Sequence, residues 1–297
     1  MSSLRSERGE FSLIGALVAM VLFGGILGST LSVYDQFVKV QAETVSRVEA
    51  QDRVRITVDR LTRELRNLAS PTPDRPESVD RADANDLIFQ SVDPFGPNSG
   101  ANAANVMRVR YCTSTSATNA TLWRQEQRWT TALPPAMPTD SACPGTGWAV
   151  QQAVASNIVN RRAGLDRRVF SYNGVATTSD VTTIHTDVFV DADTAKQPPE
   201  TRMTSGIYLR NQNRRPIAAF EAPRVTPAGI VLNGSLSSDP EGEAMRFLWY
   251  DGATKVGEGI ALTYRPTTSG TKTITLKVYD PANLEGVASS VSVPWTA

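Results

Sequence analysis

The chain is expected to adopt an α+β fold: one long N-terminal helix packed on an antiparallel-sheet head, followed by an all-β sandwich. Three observations predict it. Residues 11–69 are rich in apolar and helix-forming types and contain no proline. Residues 86–210 carry short alternating apolar runs separated by turn residues. From Pro216 the texture changes again, to short strands, frequent turns and few charges.

The composition is that of a folded protein of 297 residues, 40% hydrophobic and 20% charged, with 30 basic and 30 acidic side chains and zero formal net charge. Such a balance provides no overall field to draw nucleic acid or an anionic membrane to the protein. The chain has two cysteines, Cys112 and Cys143, and one histidine, His185. Thiolate and imidazole are the usual ligands of zinc and copper, so no metal site and no cofactor are expected. No glycine-rich phosphate loop, Gly-x-Ser-x-Gly elbow or His-Glu-x-x-His motif occurs. The chain is not expected to be an enzyme, and no catalytic residue is assigned. His185 sits in the alternating stretch Thr183–Asp187 and reads as a partly exposed strand residue.

The first element is carried by Phe11–Val33, which holds no charged residue. About 20 apolar residues suffice for a helix to cross a bilayer. The run exceeds the 7–15-residue core of a secretory signal and no Ala-x-Ala-like site closes it, so it reads as a membrane span. Phe11, Leu13, Ile14, Leu17, Leu22, Phe23 and Leu27 are the large apolar side chains expected to anchor it. Tyr34–Ala69 contains neither proline nor glycine, so the helix is expected to continue. Within it Val54, Val58, Leu61, Leu65 and Leu68 recur at 4-3-4-3 spacing between charged residues, an amphipathic stripe that needs a partner surface. Pro71 and Pro73 stop it. A continuous helix over residues 11–69 would be about 90 Å long at about 1.5 Å per residue.

A leader with Arg5 and Arg8, then Gly9, Glu10, Phe11-Ser12-Leu13-Ile14 and a long apolar run, resembles the N-terminus of type IV pilin-like and pseudopilin proteins. The resemblance implies cleavage by prepilin peptidase around Gly9, Glu10 and Phe11, with methylation of the new N-terminus. The helix would then hold the subunit in the membrane and later pack with other pilin-like subunits. Two residues depart from the pattern. Glu10 stands between Gly9 and Phe11, and the glutamate at the fifth mature position is replaced by Gly15 or Ile14, according to the bond cut. A chain without that carboxylate reads as a minor subunit.

The second element begins after a polar, proline-rich loop at residues 70–86. Strand-like runs follow at residues 86–92, 106–111, 120–125, 169–172 and 181–190, and Ile207–Arg210 ends a last strand. Cys112 closes one strand and Cys143 lies in a loop rich in Pro, Ser and Gly. An extracytoplasmic head can keep a disulfide between them, and a loop of about 30 residues would gain roughly 3 kcal/mol. Two separate buried thiols are the other reading. Arg161, Arg162, Arg167 and Arg168, and further on Arg210, Arg214 and Arg215, form basic spots that read as solvated surface, so nucleic acid is not expected as a partner. Asp187, Asp191 and Asp193 fit no complete calcium loop and read as a polar strand end.

The third element has candidate strands at residues 230–232, 245–250, 260–264, 271–278 and 288–293. Leu232–Gly242, then Phe247-Leu248-Trp249-Tyr250-Asp251-Gly252, Tyr264 and Thr273–Asp280 resemble a polycystic-kidney-disease (PKD) domain. That resemblance implies an extracellular, immunoglobulin-like sandwich with Trp249, Asp239 and Asp280 as its core residues, the Asp239–Glu243 turn being structural. The organisation expected is therefore a leader at 1–10, a membrane and spine helix at 11–69, an α+β head at 70–215 and a PKD-like sandwich at 216–297. Together the resemblances imply a single-pass membrane protein with an extracytoplasmic head, at the cell surface or in a pilus. Its partners would be prepilin peptidase, other pilin-like subunits and the assembly machinery. The competing expectation is an anchored adhesin that never enters a filament.

Overall fold

The computed structural model describes residues 13–94, 105–114, 119–129, 133–162, 164–173, 177–196 and 200–296. The expected leader and the expected processing residues Gly9, Glu10 and Phe11 lie outside the described residues. The chain divides into two units, residues 1–50 and 51–297. The fold is the expected α+β: one long helix, then antiparallel sheet to the end of the chain.

Helix α1 covers Leu13–Arg66, 54 residues. Its first part is long and apolar enough to cross a bilayer, and Leu13, Ile14, Leu17, Leu22, Phe23 and Leu27 are exposed along it. Its last part belongs to the second unit, where Val54, Val58, Leu61, Leu65 and Leu68 are buried as one stripe. The helix stops at Arg66 rather than at the expected Ala69, because the sheet takes the next residues. Leu68 bridges Ser91, Ala69 N–H donates to the Gln90 carbonyl (2.9 Å) and Val92 N–H to that of Asn67 (2.9 Å).

The head contains β1 (Val79–Asp83), β2 (Asp86–Val92), β3 (Val106–Thr113), β4 (Ala120–Arg128), β5 (Val150–Ile158), β6 (Arg161–Arg162), β7 (Leu165–Asp166), β8 (Phe170–Tyr172), β9 (Thr183–Val190) and β10 (Thr201–Tyr208). Eight of these form one antiparallel sheet in the order β1-β2-β3-β4-β5-β9-β10, with β8 also on β9. The loop expected over residues 70–86 contains β1, whose charges hid it: Asp80 accepts from Arg108 (2.7 Å) and Arg81 pairs with Asp86 (2.6 Å). Strand β5, VQQAVASNI, carries few β-branched residues and was not expected.

The C-terminal region contains β11 (Arg224–Thr226), β12 (Gly229–Asn233), β13 (Arg246–Asp251), β14 (Thr254–Glu258), β15 (Ala261–Tyr264), β16 (Gly270–Tyr279), β17 (Glu285–Val287) and β18 (Val291–Trp295). Two sheets, β11-β12-β15 and β14-β13-β16-β17 with β18 on β16, enclose Ile230, Leu232, Trp249, Ile274, Leu276 and Val278. The strand expected over 288–293 begins only at Val291, as β18, and a short unexpected strand, β17, ends before it at Val287. Gly229, at φ +144°, turns β11 into β12 where a Cβ would stand 2.6 Å from the Tyr264 carbonyl, so no larger residue fits.

Candidate functional site

Strand β3 is buried on both faces, and its alternation assigns a task to each. Val109 and Tyr111 belong to the face toward the helix, where Tyr111 donates to Glu64 Oε2 (2.8 Å). Arg108, Arg110 and Cys112 belong to the other face, under the segment 133–149. Arg108 donates to the Pro135 carbonyl (3.1 Å) and lies over the Trp129 ring. Arg110 donates to the Ala142 and Ser141 carbonyls (2.9 and 3.2 Å), and Asp86 holds its other edge with two hydrogen bonds. Gln125 on β4 exchanges hydrogen bonds with the backbone of Gly145. Three polar side chains thus do for this strap what a strand ladder would do.

Cys112 and Cys143 are joined by a disulfide, with Cα atoms 5.9 Å apart and a separation of 31 residues. Of the two readings left open by the sequence, the bonded one holds. Replacing both cysteines by serine is expected to cost about 3 kcal/mol through the freer unfolded chain. The folded strap should stay docked on Arg110 and Gln125. Urea unfolding of the full chain in detergent measures this, and a loss under about 1 kcal/mol would show that loop closure contributes little.

Within the strap, Asp140 accepts from Thr146 N–H (2.7 Å), Ala142 N–H (2.9 Å) and the Thr146 hydroxyl (2.8 Å). These donors, the Thr146 amide first, hold its carboxyl down at about 2. A depressed folded pKa contributes stability above the unfolded value and loses it as pH falls through the folded one. The Thr146 and Ala142 amide resonances should therefore shift with a midpoint near pH 2, and Asp140→Asn should remove that titration. A midpoint near 4, the ordinary aspartate value, would contradict the turn geometry.

Beneath the helix, the last turns of α1 and strands β3 and β4 bring together Glu64, Arg124, Glu126 and Tyr111, a cluster the sequence did not reveal. Arg124 is 1% exposed and donates to Glu64 Oε1 from Nη2 (2.8 Å) and from Nε (3.1 Å). It also binds Glu126, which in turn accepts from Arg128 (3.1 Å). Burial works against the Arg124 charge, but Glu64 outweighs it and holds the guanidinium above its ordinary range. Burial, and then the Glu64 charge, push the Tyr111 hydroxyl well up. Each donor faces an acceptor, so the cluster fixes helix to sheet.

The remaining expected residues are dispersed. His185 is exposed on β9, opposite Gly206. Arg161 pairs with Asp166 (3.4 Å), while Arg167 stacks on Phe189 (3.7 Å) and grips Glu200. Arg214 binds Glu241 (2.6 Å), and Arg215 donates to the Glu285 carbonyl (2.6 Å). Asp187 holds Arg202 (2.7 Å), and Asp191 and Asp193 accept from backbone amides of their own turn. Among the described residues, no three His, Cys, Asp or Glu side chains converge as a metal site would require. Asp239 accepts from Glu241 and Glu243 N–H (2.9 and 3.0 Å) within its turn. Asp280 is buried, accepting from Asn213 Nδ2 (2.6 Å) and Leu284 N–H (2.8 Å). Trp249 is fully buried in the sandwich.

No family model matches the chain, and no curated protein matches it. Among solved structures, the PKD1 domain of Vibrio anguillarum Epp is similar at 22% identity. That match covers 28% of this chain and 94% of the domain, with a TM-score of 0.25.

Proposed function

We propose that this chain is a structural, minor subunit of a type IV pilus or type II secretion-like pseudopilus. It is processed by prepilin peptidase, assembled through its N-terminal helix and without catalytic activity. The observation that carries the reading is the division of labour along one helix. Its first half is apolar and exposed, and its last turns are built into the core of a disulfide-stapled sheet head. The exposed apolar side chains do not end with the span: Tyr34, Phe37, Val45 and Val48 continue beyond it. An apolar surface extending past the bilayer is suited to packing against other helices. The C-terminal sandwich would be the module presented outside the cell.

Intact mass and N-terminal sequencing of the membrane-extracted protein, with and without prepilin peptidase, test the proposal. A peptidase-dependent start at Glu10 or Phe11, with a methylated N-terminus, is the expected result. A Met1 start in both strains would leave a membrane-anchored surface binding protein and sink the filament reading.

A further inference from the structure

Strand β10 is the last strand of the head sheet, and its outer side meets no strand among the described residues. The register fixes which backbone groups face outward. Tyr208 lies opposite Thr183, so Leu209 lies opposite Thr182, and Leu209 N–H donates to the Thr182 carbonyl (2.8 Å). Bonded and non-bonded pairs alternate along an antiparallel ladder. Thr201, Met203, Ser205 and Ile207 therefore bond to β9, while the N–H and C=O groups of Arg202, Thr204, Gly206 and Tyr208 point to the open side. The far side of β9 agrees: Asp187, opposite Thr204, donates its N–H to the Val169 carbonyl instead. None of the four outward residues shares a backbone hydrogen bond with another described residue.

Sheets usually protect such an edge with proline, lysine or a bulge. β10 has no proline and no lysine, and its pairing runs unbroken through eight residue pairs. The surroundings are cationic. Gln51 and Thr62 of α1 touch β10 at Thr201 (2.9 Å) and Ser205 (3.3 Å), which places Arg55, Asp59 and Arg66, at helical spacing, along the same border. Arg66 joins Gly206, Ile207, Tyr208 and Arg210 around a cavity of about 440 Å³ that no carboxylate lines. Arg202 on β10 is paired with Asp187 of β9, and beyond that pair Arg55, Arg66 and Arg210 stand against Asp59.

The geometry points to β10 as a strand-addition site for an extended, acidic segment of a partner protein. The partner's backbone completes the ladder at Arg202, Thr204, Gly206 and Tyr208, and its carboxylates meet Arg66 and Arg210. In this mode the main chain supplies affinity and side chains select the sequence. The inference stands apart from the filament reading, since it needs only the head.

The test uses the full chain in detergent micelles and a fluorescent ten-residue peptide of alternating valine and glutamate, at low salt. The controls are the same peptide with lysine for glutamate and one with alternate backbone amides methylated. The glutamate peptide should bind at least about tenfold more tightly than either control. It should slow hydrogen exchange at Arg202, Thr204, Gly206 and Tyr208. Thr204→Pro removes one outward N–H at an exposed edge position that tolerates proline, and should weaken binding by about tenfold or more. Arg66→Glu with Arg210→Glu should favour the lysine peptide. Equal binding of the glutamate and lysine peptides, or protection elsewhere in the chain, would overturn the proposal. So would peptide-free, concentration-dependent protection of the same four amides, which would assign the edge to a second copy. Should Thr204→Pro fail to fold, the methylated peptide decides the ladder on the unmodified protein.

Discussion

Glu64→Ala is expected to destabilise the head by about 3 kcal/mol, because it leaves a buried guanidinium short of its main counter-charge. Arg124 would keep Glu126, which already serves Arg128 and lies 3.7 Å from Arg60. Glu126 would then be the last carboxylate on Arg124, while also lying near Arg60 and sharing Arg128 with Asp93 (3.5 Å). Tyr111 would lose its acceptor at the same time. The remaining partner places the expected cost at the lower end of the range of about 3–5 kcal/mol for breaking a buried ion pair. Urea unfolding of the full chain in detergent measures it, and a loss under about 1 kcal/mol would mean that Arg124 relaxes into water. The double variant Glu64→Leu with Arg124→Met should recover most of the loss, since removing both charges leaves none unpaired.

The same cluster sets an acid limit. Burial raises the Glu126 carboxyl, but its hydrogen bond from Arg124 and the charges of Arg124 and Arg128 outweigh that and hold it below its ordinary value. Its folded pKa being depressed, its stabilisation is present above the unfolded value near 4.5 and fades as pH falls below it. In the Glu64→Ala variant Glu126 is the last carboxylate paired with Arg124, so acid unfolding should begin at a higher pH than in the parent chain.

What the sequence disclosed and what it concealed follow from range. The stripe at Val54, Val58, Leu61, Leu65 and Leu68 repeats within one helix, so local spacing exposes it. The chain has only two cysteines, which made their pairing simple to anticipate. The Glu64–Arg124 contact joins residues 60 apart, and it exists only because the register Tyr111↔Arg124 brings both side chains under the helix. Each of the two residues alone reads as ordinary surface charge. Strand β1 was hidden in the same way, because Asp80 and Arg81 look like loop residues until Arg108 and Asp86 are placed beside them. The strap was legible only as a proline-rich loop. Its docking depends on Arg108 and Arg110, which alternate with apolar residues on β3, and on Gln125, which sits in a polar run of β4, so that each reads as a solvent-facing side chain.

Trp249→Ala should be the most damaging single change in the C-terminal sandwich, at about 3–5 kcal/mol. The indole is fully buried and meets Phe220 edge-on at 5.3 Å between ring centres. It touches both sheets' apolar faces, so alanine leaves a cavity that neither sheet can close alone. The ring also donates from Nε1 to the Gly259 carbonyl (2.9 Å), on a residue held at φ +107°. Trp249→Phe would keep most of the volume and lose that bond, so it should cost about 1–3 kcal/mol. The sandwich meets the head through polar contacts, Asn213 to Asp280, Arg214 to Glu241 and Arg215 to the Glu285 carbonyl. Contacts of that kind couple domains weakly compared with a shared apolar core. Hydrogen exchange under increasing urea should therefore show the amides of β12, β13 and β16 opening early in Trp249→Ala, while β2, β3 and β4 keep their parent midpoint. If both groups of strands shift together, the sandwich and the head are one cooperative unit, and the polar contacts at residues 213–215 couple them more strongly than their chemistry suggests.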